Sequence, residues 1–167
     1  VRADLEAGEV TFADAYATQN FSNTYGARDL TGAQFKKALE QQWKETGDRP
    51  RLALGLSSNV QYSYDETREY GDRITHITFN GEPMDMKETY RVTGSSFLLA
   101  GGDSFTAFAE GGPIAETGMV DIDLFNNYIA AHPDVDVRAN QSSVGITLSG
   151  PGVAEDGTLV AGEELTV

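Results

Sequence analysis

The sequence predicts an α+β domain built on a mixed β-sheet with hairpins and interspersed helices. Three observations carry this. Helical and alternating apolar patterns are interleaved along the chain rather than segregated. Asn80-Gly81, set between apolar runs, is the strongest two-residue hairpin signal present, and a hairpin makes the sheet mixed instead of purely parallel. Two capping pairs, Thr11 with Asp14 and Thr31 with Gln34, mark helix starts.

Taken in order, Thr11 and Asp14 open a short helix running to about Ala17, and Phe21 to Leu30 reads as extended. Thr31 and Gln34 open a second helix. Its Phe35, Ala38, Leu39 and Trp43 recur at helical spacing and are assigned to the core, and Gly47 closes it. Leu52 to Leu56 is a short apolar run read as a strand, and Val60, Tyr62 and Tyr64 alternate over the next. Arg68 to Arg73 is a polar turn region, Ile77 and Phe79 lead into Asn80-Gly81, and Tyr90 and Val92 alternate toward Phe97. Helices are predicted from about Ser104 to Ala109 and from roughly Asp121 to Ala131, the latter with Leu124, Phe125, Tyr128 and Ile129 on one side.

Beyond Pro133 the character changes. Val135 and Val137 alternate, Val144, Ile146 and Leu148 form another short strand pattern, and Ser149-Gly150-Pro151-Gly152 marks a turn or boundary. Val153 to Val167 holds four acids, no base and a second turn at Asp156-Gly157. It reads as a flexible tail or as the first strands of a further β-rich module, and the apolar Leu159, Val160, Leu165 and Val167 favour the second. The predicted organisation is therefore a domain over 1–149, followed by a tail or the start of a module over 150–167.

Composition narrows the function. The chain has 167 residues, enough for one core with a modest extension. It opens without an initiator Met or a signal segment, so it reads as a domain rather than a whole enzyme. No apolar run approaches the length of a membrane span. Cysteine is absent, so there is neither a disulfide framework nor a thiol-based site. With 26 acids against 12 bases and a net charge of -14, the chain repels nucleic acid and holds no polyphosphate by general attraction. A neutral ligand remains compatible with that charge, as does a plain solvated surface that favours solubility.

A di-metal hydrolase site needs several His, Asp and Asn ligands converging on two ions. Only His76 and His132 are available. His76 sits in an alternating strand pattern and is expected to be exposed. His132 lies where a helix ends before Pro133, a favourable place for a cation near the helix dipole. No Gly-x-Ser-x-Gly, phosphate-binding loop or zinc spacing occurs. No catalytic residue and no metal ligand is assigned to this chain.

The most informative stretch is Ser95-Ser96-Phe97-Leu98-Leu99-Ala100-Gly101-Gly102-Asp103-Ser104-Phe105. A strand-like run ends in an aromatic, then two glycines and an aspartate open a helix. The glycines permit a tight turn and bring amides close to a ligand. Asp103 supplies two acceptor oxygens suited to the vicinal hydroxyls of a ribose, and Phe97 offers a face for a planar base. The plainer alternative is a Gly-Gly turn whose Asp caps the next helix while Phe97 fills the core. Earlier, Phe21 and Asn23 stand two residues apart. On an extended segment they would share a face, the aromatic for stacking and the amide for reading a base edge, unless the segment is simply a strand end with a turn-forming Asn.

These residues belong to an ordered series of motifs. The series runs Val1-Arg2-Ala3-Asp4-Leu5 with Gly8-Glu9-Val10-Thr11-Phe12, Asn20-Phe21-Ser22-Asn23 and Asp29-Leu30-Thr31-Gly32-Ala33-Gln34. It continues with Tyr62-Ser63-Tyr64-Asp65, Asn80-Gly81-Glu82-Pro83, Thr89-Tyr90-Arg91-Val92 and the Phe97 to Asp103 segment. From Val1 to about His132 the chain resembles the C-terminal domain of the secreted 5'-nucleotidase family, whose relatives include UDP-sugar hydrolases and cyclic-nucleotide phosphodiesterases.

The resemblance implies that Phe21 and Phe97 sandwich a nucleobase, that Asn23 lies at the base, that Asp103 takes the ribose hydroxyls, and that Arg2 faces the phosphate or its surroundings. Phenylalanine at both stacking positions looks like the 5'-nucleotidase branch, whereas the cyclic phosphodiesterase/3'-nucleotidase branch tends to place tyrosines there. It further implies two divalent metal ions on a separate N-terminal metallophosphoesterase domain, the intramolecular partner of this one. An extracellular, periplasmic or cell-wall location is implied as well. The chain alone is then expected to be inactive, a substrate-specificity domain in nucleotide catabolism whose parent is a phosphoric monoester hydrolase. The competing class is a non-catalytic cell-surface module that keeps the fold without a working pocket.

Overall fold

The computed structural model describes residues 2–45, 47–134, 142–154 and 159–167. Val1, the Val135/Val137 alternation and the Asp156-Gly157 turn lie outside the described residues. Residues 1–38 with 86–139 form one compact unit, and 39–85 with 140–167 form a second. The fold mixes helices and strands, as the interleaved patterns predict, but its strands form two sheets where a single mixed sheet is expected.

The first unit is built on a three-stranded antiparallel sheet in the order β5-β1-β6, with β1 (Thr24–Thr31) central between β5 (Thr89–Ser95) and β6 (Ala115–Val120). α1 (Phe12–Thr18) starts at the expected box: the Thr11 hydroxyl accepts from the Asp14 N–H at 3.3 Å, and Asp14 Oδ2 accepts from the Thr11 N–H at 2.9 Å. Gln34 and Thr31 repeat that exchange at the head of α2 (Gly32–Glu40), with 2.8 Å and 3.2 Å bonds. α5 (Asp121–Ala131) follows β6 directly and ends where His132 precedes Pro133. Leu30, Phe35, Ala38, Leu99, Phe105, Ala107 and Phe108 form the core of this unit.

The second unit carries a four-stranded sheet in the order β4-β3-β2-β7. β2 (Val60–Tyr64) and β3 (Ile74–Phe79) pair antiparallel, and β3 turns into β4 (Glu82–Pro83) through Asn80 (φ 54°) and Gly81 (φ 84°). Both central residues in the left-handed region is the geometry that an Asn-Gly hairpin supplies at least cost. β7 (Ser143–Gly145) adds in parallel to β2. Beyond it, isolated bridges join Ser149 to Thr166 and Val153 to Leu159. Leu39, Trp43, Val60, Tyr62, Ile74, Ile77 and Met84 are buried here. All four residues of the predicted helical stripe are core residues.

Three elements differ from expectation. The second helix stops at Glu40 rather than running through Trp43 to Gly47. Gln42 ends it: its main-chain N–H and its side-chain Nε2 both donate to the Leu39 carbonyl, at 3.2 Å and 2.9 Å, taking the acceptor that a continued helix would offer to Trp43. Trp43 is buried anyway, with the guanidinium groups of Arg51 and Arg73 at 4.9 Å and 5.6 Å from its ring centroid. Leu52 to Leu56 is not a strand, because its donors go to Gln42: the Leu52 N–H to the main-chain carbonyl and the Leu54 N–H to Oε1, both at 2.8 Å. Third, β6 carries no sequence signal. Ala-Glu-Thr-Gly-Met-Val does not alternate, its face is largely exposed, and Gly118 sits at φ 72°.

Candidate functional site

The start of β1 and the ends of β5 and β6 meet at one edge of the first unit's sheet, since Tyr25 pairs with Ser95 and Thr24 with Val120. The Thr24 hydroxyl ties β1 to β6 and to the residue that follows β5, 3.0 Å from Glu116 Oε2 and 3.1 Å from Ser96 Oγ. Four of the five predicted site residues leave the sheet at this edge. Phe21 and Asn23 lie in the segment entering β1, and Phe97 and Asp103 lie in the segment leaving β5.

Phe21 and Asn23 do not share a face by strand periodicity, because Ser22 between them adopts φ 56° and breaks the extended run. Their placement rests on other contacts. The Arg2 guanidinium lies 5.0 Å from the centroid of the Phe21 ring, a cation–π distance, and the Arg2 N–H donates to the Thr18 carbonyl at the end of α1 at 3.0 Å. Phe21 is 39% exposed. Asn23 is fixed through its backbone by a residue that the sequence did not single out. Its N–H donates to Asp121 Oδ2 at 3.2 Å and its carbonyl accepts from the Asp121 N–H at 2.9 Å. Asp121 is 2% exposed, and Oδ1 accepts from its neighbour's N–H on Ile122 at 2.8 Å. With its backbone taken on both sides, Asn23 has only its side-chain torsions left to aim its amide.

Phe97 stands in the short helical turn α3 (Ser96–Leu99), where the expected strand-like run has already ended. The Ser95 hydroxyl caps the turn by accepting from the Leu98 N–H at 3.3 Å. The ring is 50% exposed, and it lies against Gly102 so closely that a Cβ there would stand 2.5 Å from Cε1 and Cζ. Gly101 (φ 93°), Asp103 (φ 51°, ψ 31°) and Ser104 (φ 64°) form a left-handed run through the glycine turn. The helix after it, α4 (Thr106–Ala109), begins later than predicted, and its N-cap position is Phe105, which makes no side-chain capping bond. The plainer alternative therefore fails in both parts: Phe105, 2% exposed, is the core aromatic of this segment, and Asp103 does not occupy the cap of α4.

His76 is exposed on β3, as expected from its alternation. His132 caps the end of α5 with Nδ1 2.9 Å from the Tyr128 carbonyl and its ring stacked on Tyr128 at 4.3 Å. Among the described residues no group of three or more His, Asp or Glu side chains is arranged to hold a metal ion. A cavity of about 230 Å³ lies elsewhere, lined by Asp4, Leu5, Glu6, Val10, Asp14 and Ala17, and contains none of the five candidate residues. No described helix is long and apolar enough to cross a membrane.

The family described as "5'-nucleotidase, C-terminal domain" matches residues 1–110. Two curated relatives align over 77% of this chain. One is the trifunctional nucleotide phosphoesterase protein YfkN of Bacillus subtilis, 29% identical over 138 residues. The other is an apyrase of Tabanus yao, 30% identical over 139 residues. The chain spans only 9% and 25% of their respective lengths. Among solved structures, a 5'-nucleotidase precursor from Thermus thermophilus superposes with a TM-score of 0.73 at 28% identity, over 87% of this chain and 29% of that one.

Proposed function

The chain belongs to the 5'-nucleotidase C-terminal domain family, and from that premise we propose that it is the nucleoside-holding half of a two-domain 5'-nucleotidase. Phe21 and Phe97 sandwich the base, Asn23 meets its polar edge, and Asp103 accepts from the two ribose hydroxyls. Arg2 stands beside Phe21, toward the phosphate. The phosphate chemistry belongs to two divalent ions on a separate N-terminal metallophosphoesterase domain, consistent with a chain that spans a quarter or less of its relatives. Residues 1–149 are the nucleotide-binding domain in this reading, and 150–167 a tail or the start of a further module. The parent protein is exported.

The observation that carries the reading is the convergence of both aromatic-bearing segments on one sheet edge, with both rings partly exposed and each braced from one side, Phe97 by Gly102 and Phe21 by Arg2. What this chain contributes to hydrolysis is orientation. Gripping the base and sugar turns a bimolecular encounter of phosphate with the reacting centre into an intramolecular one, the source of large effective molarities.

Calorimetry on the full chain with adenine, adenosine and adenosine 5'-phosphate tests it. Adenosine binds more tightly than adenine, and the added phosphate brings little, because the net charge is -14 and its cations are elsewhere. Phe21→Ala and Phe97→Ala each remove roughly 1–3 kcal/mol, the range for one stacking partner. Asp103→Ala weakens adenosine and spares adenine, and Arg2→Ala matters only with the phosphate present. Equal losses for adenine and adenosine on removing Asp103 would contradict its role. The same chain hydrolyses no phosphate ester with Mn²⁺ or Zn²⁺, and turnover above that of Asp103→Ala would sink the division of labour.

A further inference from the structure

We propose that Arg28 is a positioning residue that sets the ribose end of this site by clamping both ends of the segment that carries Asp103, an inference that rests on the nucleoside-binding reading above. Arg28 stands on the central strand β1 opposite Val92. Its Nη1 donates to the Leu99 carbonyl at 2.7 Å, and its Nε donates to the Gly112 carbonyl. Leu99 is the last residue of α3, and Gly112 lies just past α4. Everything from Ala100 to Gly111, the left-handed run at Gly101, Asp103 and Ser104 included, is strung between two carbonyls held by one guanidinium.

The choice of partners is informative. Acids outnumber bases 26 to 12 in this chain, yet Arg28 directs its donors at two main-chain oxygens. Only a guanidinium presents such donors in a rigid fork, and a lysine reaches one of the two at most in a fixed geometry. The far end is pinned further. The Gly112 N–H donates to the Asp29 carbonyl at 3.0 Å, and a Cβ on Gly111 would stand 2.5 Å from Leu30 Cδ2 and 2.6 Å from the Asp29 oxygen. At the near end Leu99 is fully buried. Non-glycine residues in the left-handed region persist only where their surroundings over-determine them. Asp103 and Ser104 are such residues, and a segment tied at both ends has no slack through which they can relax.

The test compares adenosine, 2',3'-dideoxyadenosine and adenine by calorimetry on the full chain and on Arg28→Lys and Arg28→Gln. The unaltered chain prefers adenosine to its dideoxy analogue by about tenfold or more, the scale of a hydrogen bond to a carboxylate. In both Arg28 variants this preference collapses to that of Asp103→Ala, while the analogue and adenine keep their affinity within about twofold. A purely structural role would weaken all three ligands alike. Lys37→Ala removes the ion pair to Glu110 in the same segment, touches neither clamped carbonyl, and leaves the preference intact. Should the Arg28 variants fail to fold, exchange of the Arg28 Nε–H in the unaltered chain decides by NMR: adenosine slows it and the dideoxy analogue does not. A preference retained in Arg28→Lys, equal losses for all three ligands, or an Nε–H indifferent to adenosine would overturn the inference. An unaltered chain that binds no adenosine, or binds the two nucleosides equally, would bring down the nucleoside reading itself and the clamp's role with it.

Discussion

The Phe97 ring lies so close to Gly102 that no methyl group fits at that α-carbon. The Cδ1–Cε1–Cζ side of the aromatic is thereby supported by bare backbone five residues further on, and the residue remains half exposed. Gly102 is not in the left-handed region, so alanine is tolerated by its backbone and the conflict falls on the ring alone. Gly102→Ala should swing Phe97 outward, at a stability cost under about 1 kcal/mol because the ring tip is free to move. Adenosine affinity should fall about as far as in Phe97→Ala, and adding Gly102→Ala to Phe97→Ala should change nothing further. Urea denaturation and calorimetry on the two single variants and the double variant check both halves. Additive losses in affinity would show that Gly102 acts on something other than the ring.

Asp121 and Asn23 make the second testable pair. Truncating Asp121 leaves the partly buried Asn23 and Ile122 N–H groups without their carboxylate acceptor, and an unsatisfied buried donor costs about 1–3 kcal/mol, less where water reaches it. Asp121→Ala should therefore lower stability by about 1–2 kcal/mol and weaken adenine and adenosine together, because the disturbed contact lies at the base and not at the sugar. Asp121→Asn, which keeps an acceptor oxygen, should recover most of both. A denaturation midpoint unchanged in Asp121→Ala would remove this residue from the account.

Acid sensitivity has a defined sign. Asp29 faces Arg91 in register across β1 and β5, with Nε 2.8 Å from Oδ1 and Nη2 3.0 Å from Oδ2, and these hydrogen bonds hold its carboxyl below the ordinary aspartate range. The Thr11 hydroxyl and N–H do the same for Asp14 at the head of α1. A carboxyl depressed in the folded state stabilises it above the unfolded value, about 3.9, and that contribution is lost as pH falls through the folded value. At low salt the thermal midpoint should be insensitive to these groups above about pH 5 and should drop below about pH 4. Asp29→Asn should lower the midpoint at neutral pH and flatten the acid limb. An acid limb identical in Asp29→Asn would mean that the exposed pair contributes nothing.

Local chemistry was legible wherever one motif dictated one geometry. The Thr11/Asp14 and Thr31/Gln34 boxes, the Asn80-Gly81 hairpin and the end of the last long helix before Pro133 are all where their residues put them. What escaped was decided by tertiary partners. Gln42 alone ends α2 and disperses the donors of the Leu52 to Leu56 run, and nothing in Gln-Gln-Trp announces that role. β6 exists because β1 offers it an edge and Gly26 lets Ile114 and Ala115 approach, not because its residues alternate. At the site, the aromatic, amide and carboxylate candidates could be named from their types and order. Their supports, Gly102 under Phe97, Asp121 around Asn23 and Arg28 behind the Asp103 segment, are long-range contacts that no spacing rule reveals.

Nucleoside binding as proposed requires one base to lie between Phe21 and Phe97. The most direct measurement is a nuclear Overhauser experiment on the full chain saturated with adenosine, reading contacts from the adenine H2 and H8 protons to selectively labelled phenylalanine rings. Rings that sandwich a base stand about 7 Å apart, twice the contact distance of about 3.5 Å. The same adenine should contact both Phe21 and Phe97, each contact being lost in the corresponding alanine variant. Contacts to one ring alone, or to neither while adenosine is bound, would contradict the sandwich.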